Sequence, residues 1–295
     1  MSWQNKRILI TGAAGFIGQN LVRRLMGKTE ITCVDNFSLG MKDNLKFFDG
    51  TVIETDVDEN LPNFDRPFDI IYHFASPCSI IQFNKNPFEC VRSTILSFGN
   101  IIKLAEKDGA KLIYPSTGNV YGTSYPNSEF TNPQPTNLYA ISKLICEKLA
   151  EKAKVNTVGL RIFAGYGPGE AHKKDLSSAV TMFLNDIKQN KKPVIWGDGN
   201  QTRDFIFIDD IIDALIIAGE KNVAPIINLG TGKSTSFNEV VFIINTLLGK
   251  NIQPVYVPKP KFYVEKTEAD TKLMKKELEI NPVSLKEGIK KCLYM

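Results

Sequence analysis

A tyrosine and a lysine stand one helical turn apart in a stretch whose pattern predicts a helix. Tyr139 and Lys143 are four positions apart, so both side chains project from one face. A phenolate can accept the proton of a hydroxyl group whose carbon loses a hydride, and nearby positive charge favours that form of tyrosine, which otherwise titrates near ~10. An isolated Tyr-x-x-x-Lys pair is also common without any catalytic role, so this interpretation depends on its neighbours.

Two hydroxyl side chains precede this pair at the end of a predicted strand. Ser116 and Thr117 follow the run 111–115 directly. In a parallel sheet, the carboxyl ends of the strands face the bound cofactor. Both hydroxyls are therefore expected near the same site as the tyrosine and the lysine.

A glycine-rich turn follows the first predicted strand. Gly12, Gly15 and Gly18 form a G-x-x-G-x-x-G pattern, which permits a tight turn, close approach to a pyrophosphate and close packing of the next helix. Asp35 lies 17 residues after Gly18, near the ~20-residue spacing of the carboxylate that binds the ribose hydroxyls. Its charge would repel the extra phosphate of NADP, and no arginine follows at Asn36. The pattern therefore predicts NAD as the cofactor.

The elements that must position these residues alternate along the first half of the chain. Strands are predicted at 7–11, 31–35, 51–55, 69–73, 111–115 and 157–163, and helices at 16–26, 87–108 and 138–154. This alternation predicts an α/β fold with a Rossmann-type, doubly wound parallel sheet.

The pattern changes after residue 163. The stretch 164–175 is rich in glycine, proline and charge, as a loop at a cleft would be, and the remainder mixes short helices with isolated strands. We expect an NAD-binding domain at 1–165, with a return of the chain at about 202–219. The rest of 166–295 is expected to form a smaller, discontinuous mixed α/β substrate-binding lobe.

Charge and composition exclude several classes of protein. The formal net charge of +4 comes from 36 basic and 32 acidic residues spread along the chain, which gives no indication of nucleic-acid binding. Five separated cysteines with no C-x-x-C pair argue against a disulfide framework and against a metal site. The longest apolar stretch, 211–218, is interrupted by Asp213 and is too short to span a bilayer. The first strand begins almost at the initiator, so we expect a cytoplasmic protein.

Taken in order, these motifs closely resemble those of the extended short-chain dehydrogenases/reductases that modify nucleotide sugars, UDP-glucose 4-epimerases among them. The resemblance runs through essentially the whole chain. Its landmarks stand at 12–18, 35–40, 56–57, 73–76, 116–117, 120–122, 139–143, 166–168, 197–199, 201–205 and 267–270.

The resemblance implies a role for each matching residue. The cofactor-binding residues it implies are Gly12, Gly15, Phe16, Ile17, Gly18, Asp35, Asn36, Ser38, Asp56, Val57, Phe74, Ala75, Ser76, Tyr139 and Lys143. Tyr139 is the implied base and Lys143 also holds the nicotinamide ribose, while Thr117, with Ser116 beside it, hydrogen-bonds the reacting oxygen. Arg203 is implied to pair with the substrate diphosphate, a task suited to a planar, permanently charged group. The substrate-binding residues are thus Thr117, Tyr139 and Arg203, and the expected reaction is 4-epimerisation of a nucleoside-diphosphate hexose through a 4-keto sugar.

The chain departs from the family pattern at three places. Thr94 and Ala164 stand where many relatives have asparagine, and 261–264 reads Lys-Phe-Tyr-Val where Arg-x-Gly-Asp-Val is usual. These departures indicate that the clamp for the diphosphate and the base is remodelled.

Other functions compete with epimerisation: dehydration or reduction of a nucleotide sugar, decarboxylation of UDP-glucuronate, and a non-catalytic role. A nucleotide-sugar dehydratase would carry an Asp-Glu pair where this chain has Gly118 and Asn119. A UDP-glucuronate decarboxylase is favoured by the stretch 72–77, but it would carry glutamate at 119 and a basic residue soon after Pro168, where Glu170 could repel a uronate. A non-catalytic NAD-binding regulator would keep the glycine turn without the tyrosine and its partners.

The resemblance also predicts an assembly. The helices predicted at 87–108 and 138–154 resemble those that pair as a four-helix bundle in homodimers of the family. We therefore expect a homodimer.

Overall fold

A computed structural model of the chain describes residues 3–59, 61–124, 127–259 and 264–294. The strands are β1 (Arg7–Thr11), β2 (Glu30–Asp35), β3 (Thr51–Glu54), β4 (Ile70–His73), β5 (Lys111–Thr117), β6 (Thr157–Ile162), β7 (Ala164–Tyr166), β8 (Val194–Trp196), β9 (Thr202–Phe207), β10 (Ile226–Leu229), β11 (Ser234–Ser236) and β12 (Val255–Val257). The α-helices are α1 (Phe16–Leu25), α2 (Ile80–Lys85), α3 (Pro87–Asp108), α4 (Leu138–Ala150), α5 (Ala179–Lys188), α6 (Ile208–Glu220), α7 (Phe237–Leu248), α8 (Lys272–Leu278) and α9 (Leu285–Tyr294).

Seven of these strands form one parallel sheet in the order β10-β6-β5-β4-β1-β2-β3. Its central strands are covered on both sides, and β4 is buried along its whole length. One face packs on α1 and α6 through residues such as Leu21 and Leu215, and the other packs on α3 and α4 through residues such as Phe98 and Ala150. Apolar side chains on both faces of a strand are what helices on both sides of a parallel sheet require. The predicted doubly wound Rossmann-type sheet is confirmed.

The strand β10 comes from a part of the chain that we assigned to the smaller lobe. Ile226–Leu229 pairs in parallel with β6 at one edge of the sheet, so the chain returns to the sheet as late as residue 229. Within the predicted return at about 202–219, Thr202–Phe207 pairs with β7 and β11 in a separate three-stranded sheet, and the helix α6 that follows packs on the central sheet. The division into two domains remains a prediction.

The remaining elements form the smaller lobe beside the carboxyl ends of the central strands. They comprise the sheet β11-β9-β7, the pair β12-β8 and the helices α5, α7, α8 and α9. Ser236 caps the N-terminus of α7, because its hydroxyl accepts a hydrogen bond from the backbone N–H of Glu239. Among the helices the structure describes, none is long and apolar enough to cross a membrane.

Candidate active site

The glycine turn between β1 and α1 leaves no room for side chains. Gly12 has φ +65°, and a Cβ there would lie 2.6 Å from the backbone of Phe74 and of Ala75. A Cβ on Gly18 would lie 2.3 Å from the Gly12 carbonyl oxygen. Only glycine fits both positions. The N-terminal end of α1, which begins at Phe16, faces the cavity. The free N–H groups at such a helix start suit a phosphate.

Asp35 lies at the end of β2 with both carboxylate oxygens engaged. They accept hydrogen bonds from the backbone N–H groups of Ala14, at 2.9 Å, and Phe37, at 2.8 Å. Burial raises the pKa of this carboxyl, and the two hydrogen bonds oppose the rise. Beside it, the Asn36 amide donates to Asp56 at 2.8 Å. These hydrogen bonds fix the turn, with the carboxylate on the cavity wall.

One cavity of about 540 Å³ brings together all of the residues that the sequence assigned to cofactor, substrate or catalysis. The lining includes Gly12, Gly15, Phe16, Ile17, Gly18, Asp35, Asn36, Ser38, Asp56, Val57, Phe74, Ala75, Ser76, Ser116, Thr117, Tyr139, Lys143 and Arg203. They come from the carboxyl ends of five strands of the parallel sheet, from α1 and α4, and from the smaller lobe. The described residues contain no cluster of three or more potential metal-ligating side chains.

Tyr139 meets Thr117 inside this cavity. The threonine hydroxyl lies close enough to the tyrosine phenol to lower the pKa of that phenol through hydrogen bonding. The same threonine Oγ1 accepts hydrogen bonds from Asn119, from its backbone N–H at 3.2 Å and from its side-chain amide at 3.0 Å. Since two donors occupy the lone pairs of that oxygen, its own proton remains available to the phenol or to a substrate oxygen. The ring of Phe83, on α2, packs edge-on against the tyrosine with 5.5 Å between centroids.

Lys143 lies one turn further along α4 and is 6% exposed. Its ammonium group donates a hydrogen bond to the Ser76 hydroxyl at 2.8 Å, and burial lowers its pKa. Nearby, burial and the lysine charge lower the pKa of His73 to about 3, so the imidazole is neutral. Its Nδ1 lies 2.7 Å from the hydroxyl of Thr11. The lysine is the cation closest to the base in the sequence, and both residues line the same cavity.

Burial raises the pKa of Tyr139 to about 12, and the hydrogen bond from Thr117 offsets part of the rise. A phenol with this pKa is almost entirely protonated at neutral pH. The protein groups by themselves therefore do not generate the base, and further positive charge in the cavity is required.

Ser116 lines the cavity, but its hydroxyl donates to the carboxylate of Glu147 on α4. The sequence placed this hydroxyl near the reacting oxygen. Of these two neighbouring residues, Thr117 is the one whose side chain acts on the phenol of Tyr139.

The departures from the family pattern have different structural consequences. Ala164 lies on the cavity wall as expected. Thr94 is 1% exposed, and its hydroxyl donates to the Cys90 carbonyl within α3 at 2.7 Å, so it does not line the cavity. Of the stretch 261–264, residues 261–263, with Tyr263 among them, lie outside the described residues. Arg203 lines the cavity, and its guanidinium lies 5.7 Å from the ring centroid of Phe237.

The loop that follows β7 brings Glu170 to the cavity, together with His172 and Lys173, which the sequence analysis did not single out. The glycine-rich, charged composition of this loop was the sequence signal that indicated a place at the cavity. The Glu170 carboxylate accepts hydrogen bonds from Lys173 at 2.8 Å and from the hydroxyls of Ser178 and Thr181, both at 2.6 Å. Its charge is thus compensated by a cation and by the start of α5, so the expected repulsion of a uronate has no support here.

The arrangement fits a dinucleotide with the geometry described above. Backbone N–H groups and the start of α1 lie at the glycine turn, and the Asp35 carboxylate lies at the end of β2. Tyr139 and Lys143 line the same cavity. The carboxylate suits a free ribose diol better than a phosphorylated one.

Comparisons with known proteins agree with this geometry. The sequence matches the model of the NAD-dependent epimerase/dehydratase family over residues 8–230. UDP-glucuronic acid decarboxylase 1 of Xenopus tropicalis is 31% identical over 306 residues, which cover 98% of this chain and 72% of the relative.

Two solved structures are similar over nearly their whole length. The UDP-glucose 4-epimerase of Thermotoga maritima, solved with UDP-glucose, has a TM-score of 0.89 and 28% identity, with 98% of this chain and 97% of that one covered. The UDP-N-acetylglucosamine 4-epimerase of Methanobrevibacter ruminantium M1, solved with UDP-N-acetylmuramic acid, has a TM-score of 0.90 and 26% identity, with the same coverage. The chain is therefore a member of the NAD-dependent epimerase/dehydratase family of extended short-chain dehydrogenases/reductases, and its cofactor is NAD.

Proposed function

We propose that the protein interconverts the C4 epimers of a nucleoside-diphosphate hexose through a transient 4-keto sugar. The observation that carries this proposal is the set of three groups that line the same cavity: the phenol of Tyr139, the Thr117 hydroxyl beside it, and the ammonium group of Lys143. These groups are sufficient to move one proton to and from a sugar hydroxyl. Gly118 and Asn119, which follow, cannot exchange protons near neutral pH, so the elimination catalysed by dehydratases lacks its acid and base at these positions.

Each of the three groups has a distinct task. Tyr139, as phenolate, accepts the proton of the C4 hydroxyl and returns it after the sugar has turned. Thr117 donates a hydrogen bond to the phenolate or to the reacting oxygen, and the two donors from Asn119 hold its hydroxyl in place. Lys143 holds positive charge beside them. Held by the glycine turn and Asp35, NAD would supply the acceptor and donor for the hydride of C4.

The substrate end of the cavity suits a diphosphate and a sugar that must rotate. Arg203 offers a permanently charged, planar group for phosphate oxygens. Ala164 has only a methyl side chain at the cavity wall, which leaves space for the keto sugar to present its other face. The solved relatives with UDP-sugars support a nucleotide sugar as the substrate class.

Decarboxylation of a UDP-uronate is the second candidate. It is favoured by the decarboxylase relative and by Lys173, whose cation lines the cavity and could meet a carboxylate. Glu170 keeps three other donors if the lysine leaves it, namely the hydroxyls of Ser178 and Thr181 and the backbone N–H of Ser178. Against decarboxylation stands Asn119, where the decarboxylases carry glutamate.

Product analysis on a panel of nucleotide sugars tests the proposal. The purified protein is incubated with UDP-, GDP-, CDP- and dTDP-sugars, and proton NMR identifies the products. UDP-glucose or UDP-N-acetylglucosamine should give the galacto isomer without accumulation of NADH, and the Tyr139→Phe variant should give none. A pentose and carbon dioxide from UDP-glucuronate, or a 4-keto-6-deoxy sugar from any hexose, would refute it.

A further inference from the structure

A buried ion pair lies next to the catalytic groups without touching the cavity. Glu147 on α4 and Arg161 on β6 are 2% and 4% exposed. The guanidinium donates two parallel hydrogen bonds, from Nε to Oε1 at 2.9 Å and from Nη2 to Oε2 at 2.7 Å. Such a forked pair fixes the relative orientation of both groups as well as their distance.

Further hydrogen bonds extend the pair to both neighbouring strands. The Ser116 hydroxyl, on β5, donates to the Glu147 carboxylate. On the other side, the third nitrogen of Arg161 donates to the phenol oxygen of Tyr121 at 2.9 Å, and that phenol donates to Asn228 on β10 at 2.7 Å. The network thus joins α4 to three adjacent strands of the central sheet.

The position of Glu147 on its helix connects the network to the chemistry. It follows Lys143 by one helical turn and Tyr139 by two, so the three side chains lie along one face of α4. Its partner Ser116 is adjacent to Thr117 on β5. The network therefore ties the helix that carries the base and the lysine to the strand end that carries the threonine.

The energetics of a buried ion pair point to a role other than stability. Removing two charges from water costs about as much as their attraction returns, and hydrophobic replacements of similar volume are often neutral or stabilising. What an apolar pair cannot reproduce is the fixed orientation of the fork. Since Tyr139 and Thr117 must stay within hydrogen-bond distance, that orientation has a direct use.

We propose that Glu147 and Arg161 are positioning residues, which hold Tyr139 and Lys143 in register with Thr117. The inference rests on the proposed use of Tyr139 as the base. The two groups act through the helix and the strand and do not contact substrate or cofactor.

Three variants separate positioning from stability. Arg161→Lys keeps the charge and loses the fork, and the double variant Glu147→Met with Arg161→Met removes both charges. If a shift near ~1 Å misplaces the base, kcat should fall roughly 10²-fold, with KM for the sugar nearly unchanged. Glu151→Gln is the matched control, because it breaks another ion pair near the end of α4, between Glu151 and Lys148, which is exposed to solvent. It should leave kcat and Tm unchanged.

A second measurement needs no sugar and so does not depend on the identity of the substrate. The ionisation of Tyr139 is followed by ultraviolet difference absorbance between the NAD-bound protein and its Tyr139→Phe variant. In Arg161→Lys and in the double variant, the phenol pKa should rise by about one unit, since the base moves away from the positive charges that favour phenolate. If the unmodified protein turned over none of the nucleotide sugars, the proposed function would be contradicted, but the measurement of the phenol pKa would still test the positioning role.

The decisive comparison is the folded double variant. A Tm within a few degrees of the parent, together with reduced kcat and a raised phenol pKa, supports positioning. Normal kcat and an unshifted phenol pKa in that variant would overturn it. If the double variant does not fold, the same two measurements on Arg161→Lys decide in the same way.

Discussion

Binding of NAD should release a proton from Tyr139, and the extent can be worked out from the site. With a pKa of about 12, the phenol of the cofactor-free protein is ionised in only ~10⁻⁴ of molecules at pH ~8. Two unit charges ~4 Å apart interact by about 4 kcal/mol at an effective dielectric constant of ~20, which corresponds to about three pKa units. A cofactor cation acting at that range would lower the phenol pKa to about 9.

The sign of the pH dependence follows from this shift. The bound form holds the proton less tightly than the free form, so binding releases a proton wherever the pH lies between the two pKa values. The affinity for NAD should therefore be nearly constant below about pH 8 and should rise by up to tenfold per pH unit above about pH 9. NADH, whose nicotinamide ring is uncharged, should show no such rise.

Calorimetry on protein purified free of nucleotide provides the assay. Titrations in two buffers with different ionisation enthalpies count the protons released, and Tyr139→Phe serves as the control that should release none. Equal proton release by the Tyr139→Phe variant, or a pH-independent affinity for NAD in the unmodified protein, would show that the phenol is not the group that responds.

Three further outcomes are expected. Tyr139→Phe should retain NAD and lose on the order of 10² to 10⁴ in kcat, because it deletes one proton acceptor and little volume; near-normal turnover would assign the base elsewhere. Cofactor titration should give tighter binding of NAD than of NADP, and Asp35→Asn should narrow the difference by removing the charge that repels the second phosphate; a preference of the unmodified protein for NADP would contradict this assignment. The chain should also form a homodimer through α3 and α4, whose outer faces expose Phe88 (90%), Leu96 (44%) and Leu138 (45%); light scattering at micromolar concentration should report two chains, and a monomer would count against it.

Local pattern was sufficient for the first half of the fold. The strand Arg7–Thr11 and the helix Pro87–Asp108 have the predicted bounds, because a buried parallel strand and a long amphipathic helix each carry their signal in contiguous residues. The helix that carries Tyr139 ends at Ala150, four residues earlier than predicted, since residues 151–154, Glu-Lys-Ala-Lys, are good helix formers and give no local signal for the helix to end.

What the sequence did not reveal depends on partners far apart along the chain. The sequence predicted the hydroxyl of Ser116 near the reacting oxygen. Nothing in the local sequence indicates that Glu147, on another element, accepts the hydrogen bond of this hydroxyl. Likewise, Glu170 was considered as a free charge, because the donors at the start of α5 become its partners only when the loop folds back. Residue type predicted which side chains would reach the cavity, and tertiary contacts decided what each one does there.

The late strand β10 has a consequence for how the chain is made. Until Ile226–Leu229 leaves the ribosome, the apolar strand Thr157–Ile162 stays at the edge of the sheet with one row of backbone groups unpaired. Unpaired, apolar edges associate with other chains, and synthesis proceeds at about 5–20 residues per second, so this exposure lasts for several seconds on each polypeptide. A fragment cut near residue 165 would keep that edge permanently. The nucleotide-binding part of this protein therefore completes its sheet only after the first portion of the smaller lobe, from β7 to β9, has been synthesised.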